Sequence, residues 1–405
     1  MTLLPLSVIV VSRHRTTALL RCLKALMQQD HPATEVIVVA DPAAVLPVVG
    51  LGVPIKTATF NIPNISAARN LGLSIAGGDV VAFIDDDAVA EPTWASRLVA
   101  PFADAQVVAA TGFIRGRNGI SYQWRALEVD AMGQDHPIKL PMAGVTLRAG
   151  TGQRAVKTTG TNCAFRAATL RAVGGFDPAF CFYLDEADAN LRLAPHGLTA
   201  IVPGAQVHHG YLASERRRSD RVPLDLTQIA ASTAVFTRRH APEGLAQGKA
   251  LLWQDQKARA LRHMIAGRIE PRDVQRLMAT LDAGWVEGMA RAVGMPPPLP
   301  SGPPDFRPLD GLGPRVGAFL TGRSRQRASL FAQADRAVAD GRITTVLCLS
   351  TGWRRHQHSF DSRGFWLQTG GIWGRSDRDG PRPGPATLAQ RKDDERRRLA
   401  DFRPV

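Results

Sequence analysis

The chain has 405 residues, 44% of them hydrophobic and 21% charged, with a net charge of +14. That length suits two or three domains with at least one large core. No apolar run approaches the roughly 20 residues of a membrane-crossing helix, and the 28 prolines and 37 glycines follow no fibrous period.

The charge is uneven. Residues 1–215 hold 17 basic and 17 acidic side chains, so the whole excess lies in the C-terminal half. Such a half fits an anionic partner, a membrane surface ahead of nucleic acid, or simply arginines on solvated faces. The opening "MTLLPLSVIVVSR" has no basic n-region and no cleavage site, so no signal peptide is expected. Cys22, Cys163, Cys181 and Cys348 lack metal-ligand spacing and fit a reduced, cytoplasmic protein.

"LSVIVVS" (6–12) is a β-branched run of the kind buried on both faces of a sheet. "TTALLRCLKALMQQ" (16–29) has helical spacing, and "EVIVVAD" (35–41) is a second strand. "NISAARNLGLSIAGG" (64–78) predicts a helix with Asn64 as N-cap. "DVVAFID" (79–85) is a third strand, and "PTWASRLVAPF" (92–102) a helix with Pro in its first turn. Strands alternating with helices predict an α/β fold, a mostly parallel sheet covered on both faces. Ligands of such sheets bind beyond the carboxyl ends of strands. Ser12, Arg13, Asp41 and the triplet Asp85–Asp86–Asp87 would gather at that edge. "QVVAATGFI" (106–114) reads as a strand and "GTNCAFRAATLRAVGGF" (160–176) as a loop entering a short helix. "YLDEADANLRLAPHG" (183–197) reads as a helix that opens with acids, and "TAIVPGAQVHHG" (199–210) as a last strand pair.

Three adjacent acids at the end of a core strand call for positive charge. A hard cation, Mg2+ or Mn2+, takes oxygen ligands and shares its sphere with phosphate. No Gly-x-x-x-x-Gly-Lys-Ser/Thr and no Gly-x-Gly-x-x-Gly after the first strand occurs, so P-loop and dinucleotide sites are not expected. Asp41 is placed to accept hydrogen bonds from a base edge or to form a turn. Arg69 is placed to approach base or phosphate, or to form an ion pair.

"SVIVVSRHRTTALLRCLKALMQQ", "EVIVVAD", "NISAARNLGLSIAGGDVVAFIDDDAVAEPTW", "GTNCAFRAATLRAVGGFD", "DEADANLRL" and "VHHG", in that order, resemble the successive blocks of family 2 of the inverting nucleotide-sugar glycosyltransferases. The resemblance spans about residues 5–215. It implies a GT-A fold, a Rossmann-like mostly parallel sheet, and transfer of a sugar from a nucleoside diphosphate to an acceptor hydroxyl with inversion. It also implies that Asp41 contacts the base, that Ser12 and Arg13 line the nucleotide pocket, and that Asp86 lies near ribose or phosphates. Asp85 and Asp87 would form the acidic metal motif. The catalytic base matches Glu186, with Asp185 the alternative because the usual Glu–Asp order is swapped. A carboxylate suits that role at a helix N-terminus. Within "VHHG", spacing from Pro203 favours His208 as a metal ligand, with His209 open. Asn162 and Asp188 would serve the acceptor side. The membrane helices and Gln-x-x-Arg-Trp block of polymerising members are absent from the sequence, which points to addition of one or a few sugars by a soluble or surface-bound enzyme.

Beyond residue 215 a basic helical extension (216–294) is expected, with Leu251, Leu252, Ala258, Leu261 and Ile265 along one stripe. Its segment 251–269 could lie on an anionic leaflet, leaving the protein cytoplasmic but peripheral to the membrane, or pack on the catalytic domain. "MPPPLPSGPPDFRP" (295–308) reads as a Pro-rich linker. A small C-terminal unit (309–405) follows, with a β subdomain containing Trp353, Trp366 and Trp373, and ends in a charged, frayed tail. The expected partners are a nucleotide-sugar donor and a glycan or lipid-linked acceptor. The competing readings are a sugar-nucleotide nucleotidyltransferase, whose Gly- and Arg-rich first loop is replaced here by "SRHRTT", and a non-catalytic membrane or nucleic-acid adaptor.

Overall fold

The computed structural model describes residues 3–300, 305–381 and 384–405. The main sheet is built on β1 (Leu6–Ser12), β2 (Thr34–Ala40), β3 (Lys56–Thr59) and β4 (Val80–Asp85). These four are mutually parallel, in the order β4-β1-β2-β3. Helices α1 (Thr16–Leu26), α2 (Pro42–Val49) and α3 (Ile65–Ser74) make the crossovers. Asn64 caps α3 by accepting a hydrogen bond from the Ala67 N–H at 3.0 Å, as its position predicts. The expected α/β architecture is therefore present, with β1, β2 and β4 buried almost throughout.

The sheet continues through β5 (Ala88–Ala90), helix α4 (Trp94–Val99), β6 (Val107–Arg115) and β7 (Tyr122–Trp124). A three-stranded annex holds β8 (Leu127–Asp130), β9 (Asp135–Pro137) and β11 (Arg154–Val156), while β10 (Thr146–Arg148) joins the main sheet edge. Two expectations change here. The loop read before the helix at 160–176 contains a strand, β12 (Cys163–Arg166), antiparallel between β4 and β6 and followed by α5 (Ala167–Ala172). It is too short for a period to show. The pair read at 199–210 is one strand, β13 (Leu198–His209), whose register against β6 breaks between Val202 and Val207. Between them lies α6 (Asp185–Leu193).

The basic extension forms three packed helices, α7 (Thr227–His240), α8 (Leu245–Ile265) and α9 (Pro271–Ala290). The inward face of α8 is Gly248, Leu252, Gln256, Ala260 and His263 rather than the expected stripe, and Ile265 is exposed. Of the Pro-rich stretch, residues 301–304 lie outside the described residues. The remainder is no free spacer. Leu299 N–H donates to Arg171 O, Arg307 N–H to Glu35, and Leu309 N–H to Thr34 O, with the Leu309 side chain in the main core.

The C-terminal unit is a second sheet, ordered β14-β15-β17-β16, with β14 (Gly317–Arg323), β15 (Ile343–Ser350), β16 (Gln357–Phe360) and β17 (Trp366–Gly371). Helix α10 (Arg327–Ala339) crosses from β14 to its parallel neighbour β15. Trp366 is buried as expected of a core residue, whereas Trp353 is exposed. The charged C-terminus is not frayed. It forms α11 (Leu388–Leu399), and Arg391, Glu395 and Arg403 are buried. Arg403 donates to Glu91 of the α/β unit at 2.7 Å and lies 3.9 Å above the Trp366 ring. A charge run reads as solvated until its partners are known, and Glu91 lies more than 300 residues away.

Candidate active site

The acidic triplet leaves the sheet at the carboxyl end of β4, where each acid takes different partners. Asp85 accepts from the Thr161 hydroxyl. Asp86 accepts from Ser12 Oγ at 2.7 Å and pairs with Arg15 at 3.0 Å. Burial pushes its carboxyl up to about 7 against the opposing pull of Arg15 and Ser12. Asp87 accepts from the Leu212 N–H at 2.8 Å and faces Arg15 at 3.5 Å. Burial opposes its charge, but the hydrogen bond and charge of His209, with Arg15, hold the carboxyl well below the usual range.

One oxygen each of Asp85 and Asp87 and one ring nitrogen of His209 lie within 4.8 Å of one another. His209 Nδ1 is 2.9 Å from Gln123 Oε1, and its Nε2 lies 3.2 Å from Asp87 and 3.8 Å from Asp85. A proton on Nε2 satisfies this arrangement, and a cation in that proton's place would be held by the same three groups. Two carboxylates and an imidazole fit a divalent cation with open positions.

The other histidine is not part of this cluster. His208 Nε2 bonds Glu91 at 2.8 Å, beside Trp366 and His358, and burial drives its pKa down. Of the two histidines left open, the structure thus places His209 rather than His208 beside the carboxylates. The register break in β13 undoes the side-to-side counting from Pro203.

A second acidic group lies at the start of α6. Arg69 Nη1 pairs with Asp185 and, at 2.9 Å, with Glu186 Oε1. The Gly160 N–H also donates to Glu186 Oε1, at 2.8 Å. The Asp185 side chain is 3% exposed and that of Glu186 is 19%. Burial and the adjacent Glu186 charge raise Asp185 well above the carboxylate range; burial works against Glu186 too, but Arg69 and the Asp185 hydrogen bond hold it below. Glu186 is thus the more acidic member of the pair. Tyr183 and Leu184, just before α6, both have left-handed backbones (φ 76° and 64°), a strain of about 1–3 kcal/mol each that the surrounding contacts maintain. Residues 160 and 161 connect the two groups, Gly160 touching Glu186 and Thr161 touching Asp85.

The remaining expected site residues fall as follows. Asp41 caps α2, accepting from the Ala43 N–H at 3.1 Å and the His14 N–H at 2.7 Å. Arg13 is half-buried and pairs with Glu215. Arg69 is buried between the two acids and the rings of Phe83 and Phe176, forming the ion pair that was its alternative reading. Asn162 is fully buried, accepting from Trp94 Nε1 and donating to Phe113 O and Ala205 O, which pins the β13 irregularity. Asp188 is fully buried among Arg192, Arg239 and His240. Both have polar atoms engaged inside the protein. Sequence reasoning missed Arg15, Gly160, Thr161 and Gln123. Arg15 stands only two residues from the predicted Arg13, and Gly160 and Thr161 open the quoted "GTN" block.

An open α/β sheet thus holds a carboxylate–imidazole cluster at its carboxyl edge and a second acidic pair across a short loop. Residues 7–174 match the family described as Glycosyl transferase family 2. Two strains of Mycobacterium tuberculosis have a "Pre-mycofactocin glycosyltransferase" that is 30% identical over 148 residues, 33% of this chain. The match spans only 29% of those relatives' length. Among solved structures, a mannosyltransferase from Pyrobaculum calidifontis in complex with GDP-Man and Mn2+ is 17% identical, covering 72% of this chain and 88% of that one, with a TM-score of 0.43. S. aureus TarS 1-349 in complex with UDP is 16% identical, covering 71% and 81%, with a TM-score of 0.42.

Proposed function

We propose that the protein transfers a sugar from a nucleoside-diphosphate sugar to an acceptor hydroxyl, inverting the anomeric centre. The observation that carries this reading is the convergence of Asp85, Asp87 and His209 beside the Asp185–Glu186 pair, joined by Gly160 and Thr161. A divalent cation held by the first group would neutralise charge building on the departing diphosphate. Ser12, Arg13 and Asp41 border the edge where the nucleoside would lie, and Arg15, paired with Asp86 and Asp87, supplies a positive charge near its phosphates. Glu186, fixed through Oε1 by Arg69 and Gly160, keeps Oε2 for the acceptor. As the acceptor oxygen bonds the anomeric carbon, Glu186 takes its proton and the carbon–diphosphate bond breaks. The fold and its neutral α/β half suit a glycan or lipid-linked acceptor at a membrane surface. The basic helix α8 is the candidate contact with that surface. Among the described residues no helix is long and apolar enough to cross a membrane.

The test is release of nucleoside diphosphate from UDP-, GDP-, dTDP- and CDP-sugars with Mn2+. At least one donor should be turned over, and chelation or Asp87→Ala should abolish it. Turnover that Asp87→Ala leaves unchanged would refute the reading. Activity seen only with nucleoside triphosphate and sugar phosphate would indicate a nucleotidyltransferase instead.

A further inference from the structure

A second cavity, of about 520 Å3, lies between the α/β unit and the C-terminal unit. One wall is the turn carrying Asn118 and Ser121, between β6 and β7; the other carries Arg354, Arg355, Gln357 and Arg378. The two walls are joined by backbone hydrogen bonds, His358 N–H to Asn118 O and Arg378 N–H to Ile120 O, both near 2.9 Å. No carboxylate lines the cavity. The two nearest acids on the chain, Asp377 and Asp379, are taken by Arg115 and Arg125. Among the described residues no acid pairs with Arg354, Arg355 or Arg378. Three arginines without an acidic partner line one concave space, and the forked donors of a guanidinium match phosphate oxygens. A single carboxylate would leave most of that charge unbalanced, whereas a phosphate or diphosphate group balances it. The volume falls within the range of small-molecule sites and is too confined for a nucleic-acid duplex.

We infer that this cleft is a binding site for a small phosphate-bearing molecule, separate from the carboxylate cluster and independent of the catalytic reading. Its ligand bridges the two units, so binding should also strengthen their association.

The probe is inorganic pyrophosphate, titrated calorimetrically into the full chain in EDTA so that no divalent cation recruits it to the carboxylates. Combined Arg354→Gln, Arg355→Gln and Arg378→Gln replacement, all at exposed side chains, should weaken binding by about tenfold per lost charge-assisted contact. Single replacements should give partial losses, which keeps the test intact if the triple variant folds poorly. Asp87→Ala should leave binding unchanged, and so should a charge-matched control, Arg272→Gln, Arg325→Gln and Arg336→Gln. Equal loss in the control, or no loss in the cleft variants, overturns the site. Sedimentation with phosphatidylglycerol vesicles separates the two phosphate sources. Capture that pyrophosphate reverses and the cleft variants lose assigns the site to a lipid headgroup; no capture, or capture that both leave unchanged, assigns it to a free phosphate compound, any membrane contact then lying on α8.

Discussion

Gly160→Ala is the sharpest probe of how the two acidic groups are held together. A Cβ at Gly160 would lie 2.7 Å from Arg69 Cζ, and nearer still to Arg69 Nη2 and Glu186 Oε1, where ordinary contact begins at 3.4 Å. Arg69 has nowhere to retreat, since its guanidinium is buried between Asp185, Glu186 and two aromatic rings. Relief therefore needs both Arg69 and Glu186 to move by more than about 1 Å, and a ~1 Å misplacement of a catalytic group costs on the order of 10²-fold in rate. Overpacking should cost a further ~1–3 kcal/mol of stability. Thermal unfolding and nucleoside-diphosphate release, measured on the same preparation, check both effects. A variant with wild-type melting and turnover would refute the tight seating of Glu186 against Arg69 and the Gly160 backbone.

Glu186→Gln should lower kcat by about 10²–10⁴-fold with little change in donor binding, and Asp185→Asn by much less; the reverse order would assign the base to Asp185. Arg403→Ala removes the cation beside the buried Glu91 and should destabilise the fold by about 3–5 kcal/mol in denaturant unfolding, while a loss below ~1 kcal/mol would mean the C-terminus is not docked. Burial drives His356 down to about 4 from its ordinary 6.5, so between those values the unfolded chain binds a proton that the folded one excludes. Stability from this group is complete above pH 6.5 and falls by up to about 3 kcal/mol as the pH drops to 4. Urea unfolding at pH 7 and 4.5 should show that loss in the wild type and a smaller one in His356→Gln; equal slopes would contradict it.

The strands that build the α/β layer announce themselves through unbroken β-branched runs, and the acids at 85–87 and 185–188 stand out by charge alone. What surrounds those acids is carried by long-range contacts. Arg15 reaches Asp86 and Asp87 from a different crossover, and Thr161 reaches Asp85 across 76 residues. Neither has a local signature, because serine, threonine and arginine in loops are usually solvated. The choice between His208 and His209 depends on a register irregularity, which leaves no periodic trace in the sequence. Asn162 and Asp188 look like site residues because they are polar amid apolar neighbours. The protein uses that polarity to satisfy buried backbone and guanidinium groups instead.

The most direct measurement is anomalous diffraction from crystals soaked with Mn2+ and a nucleoside diphosphate. A manganese peak should appear between the carboxylates of Asp85 and Asp87 and Nε2 of His209, with diphosphate oxygens completing the sphere. It should vanish in His209→Ala and persist in His208→Ala. Diphosphate bound at the carboxyl edge of β4 with no metal peak, or a peak that survives loss of His209 and vanishes with His208, would contradict it.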